Sequence, residues 1–313
     1  MMPSFSTASA KFNTLTYGQC RPQAAALNFD ATGDYRLLDF YFPIVRILND
    51  VDSFYLLVQH IAGHPNFDLQ LVGADKADLT QQLPASARHL VAGHLAEVFY
   101  VRQDILARFL SSPRHFQLYT TLAAYQQDGG IAGGCYSPAR ESIQLVLSRL
   151  FEGFNGVTPG VCPFLHELGH MLDAFDAGSG SMKRGEGLYP GLRASDGEIF
   201  TPRARELFIK GKRLELDRYL ARFHGDLSQP MPIGNPYVFQ NDGEFVAGYL
   251  EAFFRNPNYI AAQNPDLFNA YVELFGYDTR RAWPEDFPHY VNVNRNFYNS
   301  GQTPPKTRLT IPK

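Results

Sequence analysis

The sequence predicts an α+β fold, and three observations carry that expectation. Leu95, Val98, Val101, Ile105 and Phe109 recur at spacings of three and four across residues 86–110, the stripe of an amphipathic helix. The period then changes. Residues 115–121 and 142–148 read as strands, and in the second Ile143, Leu145 and Leu147 alternate with Gln144 and Val146. Beyond them helical patterns return at residues 163–173, 202–223 and 241–256.

The chain has 313 residues, 45% of them hydrophobic, which is enough for one large core or two smaller ones. A net charge of −3 gives no basic surface for nucleic acid or an anionic membrane. No apolar run reaches the length of a membrane span. The opening MMPSFSTASAKFNTL lacks the basic region and apolar core of a secretory leader. Cys20, Cys135 and Cys162 are too few and too scattered for a disulfide framework or a CxxC site, which favours a reducing, cytoplasmic setting.

Taken in order, residues 1–34 read as a partly irregular arm. Residues 35–61 read as two helices, with Leu56, Leu57 and Ile61 on core faces. His60 and His64 are four apart but lack a Glu after the first His, and Gly63 and Pro65 flank the second; a solvated helix end is expected there. His89 and His94 fall off a common face and read as surface or packing residues. Between the two strands, QQDGGIAGGCYSPARE is rich in Gly and reads as a hairpin loop without regular structure; no GK[ST] follows to make it a phosphate loop.

The segment VCPFLHELGHMLD, Val161 to Asp173, carries the chemistry. Thr158-Pro159-Gly160 is a turn signal and Pro163 suits a first helical position. Within the helix, His166 and His170 sit about 40° apart around the axis and one turn apart along it, so both imidazoles reach one metal ion. Glu167 follows the first His. With HExxH spacing, zinc held by three protein ligands and one open position acidifies water near neutral pH, and the Glu accepts the proton. Gly169 is a poor helix former, and its presence suggests close approach by another backbone.

After Asp173 a Gly/Ser-rich stretch reads as a long functional or mobile loop. Thr201-Pro202 then opens a helix to about Phe223. The third metal ligand is not fixed by spacing, because candidate carboxylates are many. In YVFQNDGEFVAGYLEAFFRNP, Asn241 or Asp242 caps a helix ending before Pro257, and Glu244 and Glu251 share a face two turns apart. Two carboxylates in an otherwise apolar helix are costly unless paired or bound to a cation.

HELGHMLD, the YVFQNDGE octet and LEAFF, in that order, resemble the Mlc titration factor A family of zinc peptidases. The same pattern is similar to the catalytic domain of anthrax lethal factor. The resemblance covers roughly residues 140–275. It implies a zincin-like catalytic domain, placed at 111–313; residues 1–110 match no motif of the family and read, from their own patterns, as a mainly helical region packed on it or forming a subdomain. It also implies that His166, His170 and Glu244 bind Zn²⁺, that Glu167 is the general base, and that Tyr237 hydrogen-bonds the developing oxyanion. Asp173 and Glu251 become carboxylates that orient the ligands. By analogy with zinc peptidases, strand 142–148 becomes an edge strand that holds an extended substrate. The expected activity is hydrolysis of a peptide or protein substrate, with a protein regulator as a further partner. The alternative is a binding protein that retains the metal site and sequesters a partner, such as a repressor. A closed structural zinc site would need Cys162, four residues before His166, as its fourth ligand.

Overall fold

The computed structural model describes residues 42, 44–45, 48, 51–152, 158, 160–183, 185, 187–189, 201–283 and 285–312. The expected arm at 1–34 and, but for residues 42, 44–45 and 48, the first of the two helices expected in 35–61 lie outside the described residues. The described chain is mixed α+β, and none of its helices is long and apolar enough to cross a membrane. It divides into two compact units, Met1–Pro159 and Gly160–Lys313.

The first unit runs α1 (Val51–Ala62), β1 (Phe67–Val72), α2 (Ala85–Phe99), α3 (Gln103–Phe109), β2 (Arg114–Tyr119), α4 (Leu122–Gln127), β3 (Gly134–Ser137), β4 (Ser142–Val146) and α5 (Leu147–Leu150). Its sheet has the order β1-β2-β4-β3, with β3 antiparallel to β4 and the other pairs parallel. Alternation sorts the two faces. Leu69, Phe116 and Ile143 stand in register on the buried face. The other face carries polar rungs: His115 Nδ1 lies 2.8 Å from Asp68 Oδ2, and Gln144 Nε2 donates to Gln117 Oε1 at 2.8 Å.

Several expectations change here. The ladder Phe67–Val72 with Arg114–Tyr119 joins strands on either side of residue 110, so a domain break at that point would cut it. The stripe of 86–110 is split into α2 and α3. The run Phe99-Tyr100-Val101 consists of aromatic and β-branched residues of modest helix propensity, and Val101 is 48% exposed in the break. The Gly-rich segment contains the end of α4 and all of β3. Because β3 folds back on β4, β4 is bonded on both sides, and Ser142–Val146 is an inner strand whose main chain has no free edge for a substrate. His60 is exposed and His64 half-buried, with His64 Nδ1 accepting from the Asn66 N–H, so this helix end is solvated at His60 and partly covered at His64. His94 is fully buried and His89 nearly so, which makes both packing residues.

The second unit runs α6 (Pro163–Ala174), the two-residue strands β5 (Phe175–Asp176) and β6 (Ser181–Met182), α7 (Pro202–Phe223), α8 (Asp242–Arg255), α9 (Pro257–Gln263), α10 (Pro265–Phe275) and α11 (Pro288–Asn299). Local chemistry marks these helix starts. Proline occupies the first turn of α6, α7, α9, α10 and α11. Thr201, Asn241 and Asn264 cap α7, α8 and α10 with side-chain oxygens. The loop after Asp173 opens with the β5–β6 hairpin instead of an irregular stretch, and most of the remainder to residue 200 is outside the described residues.

Helices α6 and α8 pack across Gly169. A Cβ added there would lie 2.6 Å from the Cα of Ala247, and a backbone atom cannot swing aside. Gly169→Ala gains about 1 kcal/mol of helix propensity. Overpacking costs about 1–3 kcal/mol, more where backbone must move. With the overpacking cost at the upper end of that range, because backbone must move, the variant is expected to be destabilised by about 1–2 kcal/mol net, read as a lowered denaturant midpoint; an unchanged or raised midpoint would show that the helices separate at a cost no larger than the propensity gained.

Candidate metal centre

Helix α6 buries Phe164, Leu165, Leu168, Met171 and Leu172, which leaves His166 and His170 on its remaining side. Helix α8 buries Phe245, Val246, Leu250, Phe253 and Phe254 and brings Glu244 to the same place. Glu244 Oε2 lies 3.0 Å from His166 Nε2 and 3.5 Å from His170 Nε2. His166, His170 and Glu244 could hold a metal ion: one donor atom from each lies within 4.8 Å of the others, the only such cluster among the described residues. Cys162 is not part of it, which leaves a closed four-ligand site without its fourth donor. Two imidazoles and one carboxylate, with no thiolate, are a donor set that suits zinc with an open position.

Electrostatics agree with a cation at this point. Burial pulls the His166 imidazolium down, but the facing carboxylates of Glu244 and Glu251 outweigh it and hold the ring above its ordinary value. Burial raises Glu244, yet the two imidazoles hold its carboxyl below the usual range. A divalent cation would take the place of the proton shared between them.

The flanking residues sort into those that touch the cluster and one that does not. Glu251 faces His166 Nδ1 at 3.7 Å and accepts from the backbone N–H of Cys162 at 2.6 Å. One carboxylate thus bonds the start of the helix and lies beside the ring, at ion-pair distance and not hydrogen-bonded to it. Asp173 is different. Its carboxylate accepts from three successive backbone N–H groups, Gly187 at 2.8 Å, Leu188 at 3.0 Å and Tyr189 at 2.8 Å. Those bonds hold a turn and contact no ligand, so any orienting effect it has is indirect. Its side chain leaves the helix one turn beyond His170, where the chain doubles back. Glu167 is 9% exposed and close enough to act electrostatically on both His166 and Tyr237.

Tyr237 stands on a 3-10 turn, Pro236–Phe239, with its ring centroid 6.0 Å from that of His166. It is 48% exposed. Burial of the hydroxyl and the nearby Glu244 and Glu167 carboxylates push its pKa up to about 12, so it stays a donor at neutral pH. The turn is anchored from below. Asn235 Oδ1 accepts from Tyr237 N at 2.8 Å, and buried Glu215 accepts from Ile233 N at 2.7 Å and from the Tyr249 hydroxyl. Helix α11 closes the grip: Asn294 donates to Ile233 O and Tyr298 to Gly234 O, both at 2.9 Å.

Sequence reasoning did not single out Glu215, Lys212 or the Asn241–Asp242 division of labour. A signal was present. Phe208, Gly211, Lys212, Glu215 and Tyr219 follow helical spacing along α7, and all five are buried, so the two charges lie on the apolar face. Asn241 proves to be the cap of α8 and Asp242 its first residue.

Neither a scan against protein-family models nor a search of curated proteins finds a match to the chain.

Proposed function

We propose that the protein is a zinc-dependent peptidase of the zincin type, with His166, His170 and Glu244 as metal ligands. The observation that carries this reading is the convergence of those three donors from two helices, with Glu167 next in sequence to the first. The mixed sheet that precedes the HExxH helix in the chain, with an antiparallel edge strand, supports the zincin architecture. The resemblance of HELGHMLD, YVFQNDGE and LEAFF to the Mlc titration factor A family supports the same reading.

Zinc bound there would supply Lewis acidity, polarising the scissile carbonyl and acidifying water. The chain supplies the rest. Glu167 takes the proton from the attacking water and passes it to the departing amine. The Tyr237 hydroxyl, a donor held protonated, meets negative charge as it develops on the carbonyl oxygen. Glu251 keeps His166 turned toward Glu244 by facing its Nδ1 side.

The test is metal content together with metal-dependent cleavage. Elemental analysis is expected to give one zinc per chain. Cleavage of a mixed peptide library, read by mass spectrometry, is expected to stop on chelation and to return with added zinc. A chain that takes up no zinc, or cleavage indifferent to chelation, would refute the reading. Zinc uptake without cleavage, alongside tight capture of one protein partner, would favour sequestration.

A further inference from the structure

The two ligand-bearing helices are braced by a polar structure that lies away from the ligands themselves. It begins at Asp173, in the last turn of α6, where three consecutive N–H groups of Gly187, Leu188 and Tyr189 converge on one carboxylate. The turn is conformationally demanding. Gly187 has φ +70 and Tyr189 φ +49, and for a bulky residue the latter is held only by its surroundings. From this turn two arms reach α8. The Tyr189 hydroxyl donates to Val246 O at 3.0 Å, two residues beyond Glu244. The carbonyl of Gly187 accepts from Lys212 Nζ at 3.2 Å, and the same ammonium lies 2.8 Å from Asp242 Oδ1, two residues before Glu244. Gly187 also abuts Asp242 directly, since a Cβ on it would come within 2.3 Å of the Asp242 Cβ.

Lys212 carries the brace. Its side chain has no exposure at all, a costly placement for an ammonium unless it is paired. It also sits beside the N-terminus of α8, where the helix dipole disfavours a cation. Helix stability therefore does not account for a lysine at this point; the carboxylate of Asp242 and the carbonyl of Gly187, one on α8 and one on the turn held by α6, do. Thr310 completes the joint, donating to Asp242 through its N–H at 2.8 Å and its hydroxyl at 2.6 Å.

We infer that Lys212 is a positioning residue for the metal centre, fixing Glu244 on α8 against His166 and His170 on α6 through the Gly187–Tyr189 turn. This rests on the metal-centre reading proposed above. It predicts that the brace sets how well three donors on two helices are preorganised, and so how tightly they hold a cation.

The experiment uses the full chain with Lys212→Met, which keeps length and removes the charge, and leaves Asp242 its two bonds from Thr310. Zinc affinity is measured by competition with a chromophoric chelator, the geometry of the site by the visible spectrum of the Co²⁺-loaded protein, and local order by amide hydrogen exchange of the metal-free protein. The expected result is a fall of about 10-fold in zinc affinity, the lower end of what loss of an outer partner produces. A shifted Co²⁺ spectrum and faster exchange at residues 187–189 and 242–245 should accompany it. A folded Lys212→Met with unchanged affinity, spectrum and exchange at those amides would overturn the inference and make Lys212 an ordinary buried ion pair of the fold. Should Lys212→Met fail to fold, Asp242→Asn carries the same measurements with the lysine in place. If wild type takes up no metal, the metal reading fails by itself. Exchange at 187–189 and 242–245 then decides separately whether Lys212 braces the two helices.

Discussion

Glu167→Gln is expected to retain zinc and to lose peptidase activity by about 10²–10⁴-fold, the usual contribution of a positioned general acid–base group. Gln has nearly the shape of Glu and still hydrogen-bonds to water, but it cannot accept a proton at neutral pH. Zinc content should not fall, because the cluster of donors is complete without Glu167. Stability should change little, since a neutral amide at a position only 9% exposed costs less to bury than a carboxylate. The measurements are kcat on a library-derived peptide, zinc per chain and melting temperature. Equal cleavage by wild type and Glu167→Gln would mean that the activity arises elsewhere or from a contaminant. Loss of zinc in the variant would make Glu167 a ligand and require a different base.

Part of this structure was legible in the sequence, and the reason differs from element to element. The HExxH helix was legible because its signals are local: Pro163 at the first position, apolar residues on every side except that of the two imidazoles, and Gly169 at a close approach. The backbone of Ala247 is what Gly169 approaches, but nothing in the sequence names Ala247. Likewise α7 was legible from Thr201-Pro202, whose hydroxyl accepts from Ala204 N at 3.0 Å as a cap should. Glu244 was a candidate by resemblance alone, since its nearness to the histidines depends on how α8 packs on α6. What the local pattern left open has the same origin. Strand 142–148 is expected at an edge by analogy alone, and its pairing with β3 makes Ser142–Val146 internal. Asp173 sits near HExxH in sequence, but its hydrogen bonds go to a turn fourteen to sixteen residues on. Long-range pairing, which local patterns do not encode, decides such cases.

Tyr237→Phe is the second large effect expected. Removing a single oxyanion donor costs roughly 2.7–4 kcal/mol of transition-state stabilisation, so kcat should fall by about 10²–10³. KM should stay nearly constant, because the bond to the oxyanion is made in the transition state and not in the bound substrate. The fold should be indifferent to the change. The ring is 48% exposed, and the turn that carries it is held by Asn235 Oδ1 on the backbone N–H of Tyr237, a bond the substitution leaves intact. Nor should zinc be lost, because the phenol is outside the donor cluster. The hydroxyl's pKa, raised to about 12, implies a second signature. Wild-type kcat should show no loss attributable to phenol ionisation up to about pH 10, two units below that value, where the group is still almost wholly protonated. An unchanged kcat in Tyr237→Phe would reduce the tyrosine to a wall of the site. A rise in KM at constant kcat would assign it to substrate binding, and the oxyanion would then have to be met by another donor.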